Sequence, residues 1–173
     1  NLYSRKMTYD MLLKQFEESM NFSELISPYL NTNSKHVDLG SGNGLPGVIT
    51  SILNNLNTTL TEPVFKKAQF LRHLSFSLNR NIKVHASKWQ SLKERSFDII
   101  TSKAFSSLSN LLEAQDFVSR ETNDGTGFYL KGEKYEEEIV KAEKIWDFSL
   151  EIKKNGGCGT WVLIVKNLRK REI

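Results

Sequence analysis

An α/β fold of the Rossmann-like type, with a mostly parallel seven-stranded sheet flanked by helices and ending in an antiparallel hairpin, is what this 173-residue sequence predicts. Three observations carry it. Apolar residues switch repeatedly between a period of two and a period near 3.6 along the chain. A glycine cluster, Gly40-Ser41-Gly42-Asn43-Gly44, stands between the first short apolar run and the next helical pattern. The last two extended segments are joined by Asn155-Gly156-Gly157-Cys158-Gly159 with no helix between them, which marks a hairpin instead of a crossover.

Taken in order, residues 7 to 30 are helical, with Met7, Met11, Leu12, Phe16, Met20, Leu25 and Ile26 at spacings of three to five. His36 to Leu39 is a strand that runs into the glycines, and Pro46 opens a helix over about 46–56. Thr58–Thr61 reads as a strand. Val64–Leu78 reads as a helix with Phe65, Ala68, Leu71, Leu74 and Leu78 inward. Strands follow at 82–85 and 97–101, a helix at 108–118, a strand at 127–130 and a charged helix at 133–145. Strands near 147–153 and 160–166 complete the set. Strand–helix alternation at this spacing requires parallel pairing through right-handed crossovers.

Composition agrees with one packed domain over residues 1–173: 39% of residues are hydrophobic and 25% charged. No uncharged apolar run reaches the length of a membrane span, and the start Asn1-Leu2-Tyr3-Ser4-Arg5-Lys6 has no apolar signal core behind it. A single Cys158 rules out an internal disulfide and fits a reducing cytoplasm; it reads as a small buried apolar side chain. The net charge of +4 is compatible with phosphate contacts without demanding them. Nothing in the sequence calls for a dimer, so a monomer is expected.

Strand, glycine loop and helix at a first crossover form the usual ligand site of such sheets. The spacing here is Gly40-x-Gly42-x-Gly44, not the G-x-G-x-x-G of dinucleotide binders. Asp38 ends the first strand, where a carboxylate holds a ligand ammonium or orients the loop. Glu62 ends the second, where an acid meets ribose hydroxyls. With the terminal hairpin, these features point to the class I methyltransferase arrangement and to S-adenosylmethionine as cofactor.

At these residues the sequence resembles the RsmG (GidB) family of 16S rRNA guanine-N7 methyltransferases. Val37-Asp38-Leu39-Gly40-Ser41-Gly42-Asn43-Gly44-Leu45-Pro46-Gly47 is similar to the family's glycine motif, including its Leu-Pro-Gly extension. Glu62-Pro63-Val64-Phe65-Lys66-Lys67-Ala68-Gln69-Phe70-Leu71 resembles its second motif. The segment from Phe97 to Leu108, with Ser102-Lys103-Ala104-Phe105, resembles its fourth-strand motif, and Tyr129-Leu130-Lys131-Gly132 its fifth. The resemblance implies that Asp38, Gly40, Ser41, Gly42, Gly44, Leu45, Glu62, Lys88, Trp89, Gln90 and Lys103 hold the cofactor. It places Lys103 beside cofactor and substrate, and as basic and aromatic groups near the loop mouth Lys66, Lys67, Lys103, Phe105 and Lys131 are expected to meet the substrate, 16S rRNA or the small ribosomal subunit. The resemblance also implies further N-terminal helices before Asn1. The family usually has Arg at positions 88 and 103 and Glu at position 90, where this chain has Lys88, Lys103 and Gln90. It usually has His and Asp at positions 15 and 18, here Gln15 and Glu18. Lys lacks the bidentate fork of Arg, so these departures read as lysine drift, a reshaped RNA contact or weakened activity; the retained charge sign favours the first.

No nucleophile–base pair, paired carboxylate or metal-ligand cluster stands out, and His36, His73 and His85 read as isolated strand-end or surface residues. No catalytic residue and no metal is therefore assigned. That fits the chemistry implied: guanine N7 offers an in-plane lone pair and no proton, so alignment suffices and no general base is needed. Two other readings stand beside it, a Rossmann protein using another adenine cofactor such as NAD, and a non-catalytic RNA- or ribosome-binding domain of the same fold.

Overall fold

The computed structural model describes residues 8–31, 33–122 and 124–172. Its seven strands are β1 (Lys35–Leu39), β2 (Asn57–Thr61), β3 (Ile82–His85), β4 (Ile99–Lys103), β5 (Thr126–Lys131), β6 (Trp146–Lys154) and β7 (Trp161–Lys170). They form one sheet in the order β3-β2-β1-β4-β5-β7-β6. The first five are parallel, whereas β7 runs antiparallel to both β5 and β6. The glycine-rich turn without a helix makes β6 and β7 an antiparallel pair, and it is the second of them, β7, that lies beside β5. β1 lies between β2 and β4, so the strand order reverses at β1, and a crevice opens beyond the carboxyl ends of the strands there.

Side-chain alternation along the strands explains the layers. Val37, Leu39, Ile100, Tyr129, Leu163 and Val165 point to the face covered by α4 (Leu108–Val118) and α5 (Tyr135–Ala142). Ile99, Phe128, Leu130, Val162 and Ile164 point the other way, onto Phe22 and Ile26 of α1 (Tyr9–Ile26). On that second face Leu60 and Ile82 pack with Val48 of α2 (Gly47–Asn54) and Leu71 of α3 (Phe65–Leu78).

Several expectations change at this level. The α1 helix is present, but Met11, Phe16 and Met20 are exposed, and Ser19, Phe22, Ser23 and Ile26 face inward. The small serines let α1 approach α2, where Asn54 donates to Ser23 Oγ at 2.9 Å. Met7 lies outside the described residues. Phe65, expected inward, is 67% exposed, because α3 meets the sheet through Ala68 and Leu71 one turn later. β4 starts at Ile99 instead of Phe97: Phe97 is buried, yet its N–H donates to Val118 O, outside the ladder. Cys158 is half-buried and accepts a hydrogen bond from Asn21 Nδ2 at 3.6 Å. Among the described residues, no helix is long and apolar enough to cross a membrane.

Candidate functional site

The glycine loop is held from beneath by the end of β2. Gly40 N–H donates to Thr61 Oγ1 at 3.1 Å, Ser41 N–H to Thr61 O at 2.9 Å, and Gly42 N–H to Glu62 Oε2 at 2.9 Å. Glu62 is 4% exposed, and its other oxygen accepts Val64 N–H at 2.7 Å. Gly44 N–H turns back to Ser41 O at 2.7 Å. The loop therefore spends these four N–H groups internally. Gly40 has φ +67° and lies under Phe105, whose Cδ2 would be only 2.1 Å from an added Cβ; only glycine permits that approach. Gly44 serves another purpose, since its missing Cβ makes room for Val48 and Leu71 behind the loop.

Above Gly40 lies a cavity of about 340 Å³. Thr61 and Pro63 form one wall, Ser87, Lys88, Trp89 and Gln90 a second, and Phe105, Ser106, Asn110 and Glu113 a third. Trp89 is 9% exposed and fixed edge-to-face on Phe117, with ring centroids 5.4 Å apart. The sequence-predicted Gly40, Lys88, Trp89 and Gln90 thus converge here. Glu62 sits below the lining, while Leu45 is buried in the turn after the loop. Thr61, Ser87, Asn110 and Glu113 were missed by the sequence reading. Thr61 ends β2, Ser87 follows β3, and Asn110 and Glu113 lie on α4, positions that only the sheet order brings together.

Asp38 closes a buried polar chain on the opposite face of β1. His36 bridges Thr58 Oγ1 at 2.9 Å and Thr101 Oγ1 at 2.8 Å, and Thr101 donates to Asp38 Oδ1 at 2.6 Å. His36, expected as a strand-end or surface residue, is fully buried in the central strand. Burial pushes its pKa down to about 3, so the ring stays neutral. Burial raises the Asp38 carboxyl to about 6, against the opposing pull of the Thr101 and Ser41 hydrogen bonds and the Lys103 charge. Gly47 is confined by the same carboxyl, whose Oδ2 would lie 2.7 Å from an added Cβ.

Lys103, at the end of β4, does not line the first cavity. Its ammonium pairs with the Glu18 carboxylate of α1, and both side chains are largely shielded from solvent. They line a second cavity of about 570 Å³ with Ala104, Leu130, Thr160 and Gly132. Phe105 and Ser106 line both cavities, so the Phe105 ring lies between them. The pair's partners are 85 residues apart in sequence; the family resemblance marks position 18, but nothing local joins Glu18 to Lys103. Gln15, one turn earlier, accepts from Asn43 Nδ2 of the glycine loop at 3.1 Å, tying α1 to the site.

Of the remaining predicted cations, Lys131 lines the second cavity together with Glu138, whereas Lys66 and Lys67 line neither cavity. Lys131 is 7% exposed; its ammonium donates to Ser106 O and to Glu138 Oε2, both at 2.7 Å. Glu138 Oε2 also accepts Leu108 N–H at 2.6 Å, so this acid of α5 fixes the start of α4. Lys66 and Lys67 open α3 just beyond Glu62, outside both linings, with Lys66 exposed. Among the described residues no group of three or more His, Cys, Asp or Glu is placed to hold a metal.

Comparison with known proteins places this geometry. The GidB family model, described as rRNA small subunit methyltransferase G, matches residues 1–159. The ribosomal RNA small subunit methyltransferase G of Campylobacter fetus is 34% identical over 155 residues, covering 80% of this chain and 84% of that protein. That of Ruegeria sp. is 28% identical over 177 residues, covering 98% and 83%. That of Hyphomonas neptunium is 32% identical over 140 residues, covering 79% of this chain and 66% of that protein. Among solved structures, M. jannaschii TYW2 in complex with AdoMet superposes with a TM-score of 0.67 at 16% identity, covering 96% and 80% of the two chains. A TehB-like SAM-dependent methyltransferase from Corynebacterium glutamicum gives 0.62 at 14%, covering 84% and 86%. At such identities the likeness shows the fold, that of class I methyltransferases.

Proposed function

Since this chain belongs to the GidB family of small-subunit ribosomal RNA methyltransferases, we propose that it methylates N7 of a guanine in bacterial 16S rRNA with S-adenosylmethionine as donor, acting in the cytoplasm as a monomeric, single-domain enzyme. The observation that carries this reading is the pair of cavities with Phe105 between them, one above Gly40 and one above the Lys103–Glu18 pair. The first fits a nucleoside: Trp89 and Gln90 flank the adenine, Glu62 and the β2 end underlie the ribose, and the amino-acid arm runs past the glycine loop toward Asp38. Asp38 is 1% exposed and lines neither cavity, so that the ammonium reaches it only by parting the loop from β1. A dinucleotide fits less well, because its pyrophosphate needs free loop N–H groups, and four of these are already taken by Thr61, Glu62 and Ser41.

When bound, S-adenosylmethionine supplies an activated methyl group. The protein's part is alignment and electrostatics. Guanine N7 has no proton to lose, so no side chain need act as a base. The second cavity receives the base, which must leave its stack to enter. There the Lys103 ammonium donates to acceptors on the guanine edge, and the Glu18 carboxylate keeps the pair neutral, so that no net positive field opposes the cationic methylated base. Lys66, Lys67 and Lys88 at the mouth meet phosphates.

Asp38 makes the pH dependence specific. Its carboxyl is ionised above about pH 6 and protonated below, and only the ionised form holds an ammonium. S-Adenosylhomocysteine affinity should therefore be flat between about pH 7 and 8, where both the carboxylate and the ligand's ammonium are charged, and fall about tenfold per pH unit below about pH 6. Asp38→Asn should be weaker at pH 7.5 and flat across that range. Calorimetric titration reads both, and NAD is the control: micromolar-range binding of the sulfur nucleotide alone supports the proposal. Binding of NAD in its place, or of neither by folded protein, would overturn it.

A further inference from the structure

We propose that the outer flank of the sheet, formed by α3 and the edge strand β3, is a track for single-stranded RNA leading to the methylation site. The proposal rests on the reading of this chain as an rRNA methyltransferase. Between Glu62 and Glu94 there is no acidic residue, while Lys66, Lys67, Arg72, Arg80, Lys83, Lys88 and Lys93 contribute +7; the remainder of a chain of net +4 is therefore −3. Six of these seven are exposed and Lys67 is half-buried. Among the described residues none of the seven forms an ion pair, and all six ion pairs lie outside this segment. A basic surface whose charges are left unneutralised is the electrostatic footprint of a polyanion partner.

The flank also carries aromatic surface of the kind that bases stack on. Phe76 is 85% exposed at the rim of a groove of about 580 Å³ lined by Arg72, Asn79, Arg80, Ile82 and Val84. Arg80 is steadied there by Asn55 Oδ1 at 3.0 Å. Phe65, 67% exposed, stands at the other end of the same helix beside Lys66, two residues beyond Pro63 of the cofactor cavity's wall. Phe65, Gln69, Arg72 and Phe76 recur at helical spacing on one stripe, so two aromatic platforms about 16 Å apart, at 1.5 Å per residue, bracket a line of cations. An exposed, unpaired Phe between two arginines suits a splayed base and its flanking phosphates better than it suits a duplex, whose bases are not available for stacking.

The test is fluorescence anisotropy with a short labelled single-stranded RNA of mixed sequence at several salt concentrations, beside methyl transfer to unmodified small subunits. Arg72→Glu/Arg80→Glu should lower RNA affinity at least about tenfold and reduce the salt slope by about 1.4, from roughly 0.7 per lost phosphate contact. Phe76→Ala should weaken binding about 5- to 100-fold with the slope unchanged. Both should bind S-adenosylhomocysteine as the wild type does, which also reports that they are folded. Wild-type RNA affinity in these variants would overturn the track. Were transfer to small subunits lost with RNA affinity intact, RNA would be excluded as occupant and the groove would belong to a ribosomal protein. A wild type that binds the nucleotide but neither binds RNA nor methylates subunits would instead bring down the enzymatic reading beneath it.

Discussion

Gly40→Ala is expected to weaken S-adenosylhomocysteine binding by at least about 100-fold while leaving a folded protein. Two effects combine at one atom. A left-handed φ of +67° costs an L-residue roughly 1–2 kcal/mol. The added methyl would also stand 2.1 Å from Phe105 Cδ2 and 2.6 Å from Cγ, well inside van der Waals contact. Phe105 is 39% exposed, so its ring will yield before the buried strand does. Moving it changes the wall between the two cavities, and that is why the loss falls on binding more than on stability. A 100-fold loss corresponds to about 2.7 kcal/mol of binding energy. Calorimetry for the ligand and a thermal melt for the fold separate the two effects. Binding within a factor of a few of the wild type would show that Phe105 does not shape the nucleotide cavity.

The largest expected effect on stability lies away from the site, at Gln115. This α4 side chain is fully buried, and its amide donates to Gly125 O at 2.7 Å and Val165 O at 3.2 Å. Its carbonyl accepts the Tyr129 hydroxyl at 2.7 Å. One residue thereby binds a helix to the parallel strand β5 and the antiparallel strand β7. Gln115→Leu leaves two carbonyls and a phenol without this partner in an apolar layer, and unmade buried hydrogen bonds cost about 1–3 kcal/mol each. Partial relaxation, with Tyr129 turning fully to Leu111 O at 3.4 Å, brings the expected loss to about 3–5 kcal/mol. Urea unfolding measures it; a loss below about 1 kcal/mol would mean that the polar bridge does not hold the hairpin to the sheet. Tyr129→Phe, which removes one donor only, should cost about 1 kcal/mol.

Much of this architecture was legible because it is written in periodicity. The parallel strands read as short apolar runs, the helices as 3.6-residue patterns, and the reversal at the end as Asn155-Gly156-Gly157 with no helix to cross over. What the pattern could not give was direction. Phe65 and Met20 are apolar and at helical spacing, yet exposed, because periodicity marks a stripe without saying whether another element covers it. The strand β4 was placed two residues early because Phe97 is as apolar as its neighbours, and only the departure of its N–H to Val118 O ends the ladder there.

The site divides in the same way. Gly40, Trp89 and Gln90 line one cavity; the loop signal singled out the first, and only the family resemblance singled out the other two. His36 looked like an isolated strand residue, since its partners Thr58 and Thr101 come from two other strands. Lys131 was expected to meet the substrate, and its ion pair went unseen for the same reason: Glu138, which takes its charge, lies on the following helix with no mark that distinguishes it from Glu136 and Glu137. Pairings across the sheet are set by strand order, and strand order is not a local property of the sequence.

The most direct measurement is transfer of tritium from labelled S-adenosylmethionine to small ribosomal subunits that lack the modification, followed by borohydride–aniline cleavage of the extracted RNA. Label in 16S rRNA with scission at one guanine is the expected result, because that chemistry cuts at N7-methylated guanine. Label on another base or another atom would contradict the N7 assignment. No label at all, from protein that binds S-adenosylhomocysteine, would contradict the account of the Lys103–Glu18 cavity as the place where the guanine is received.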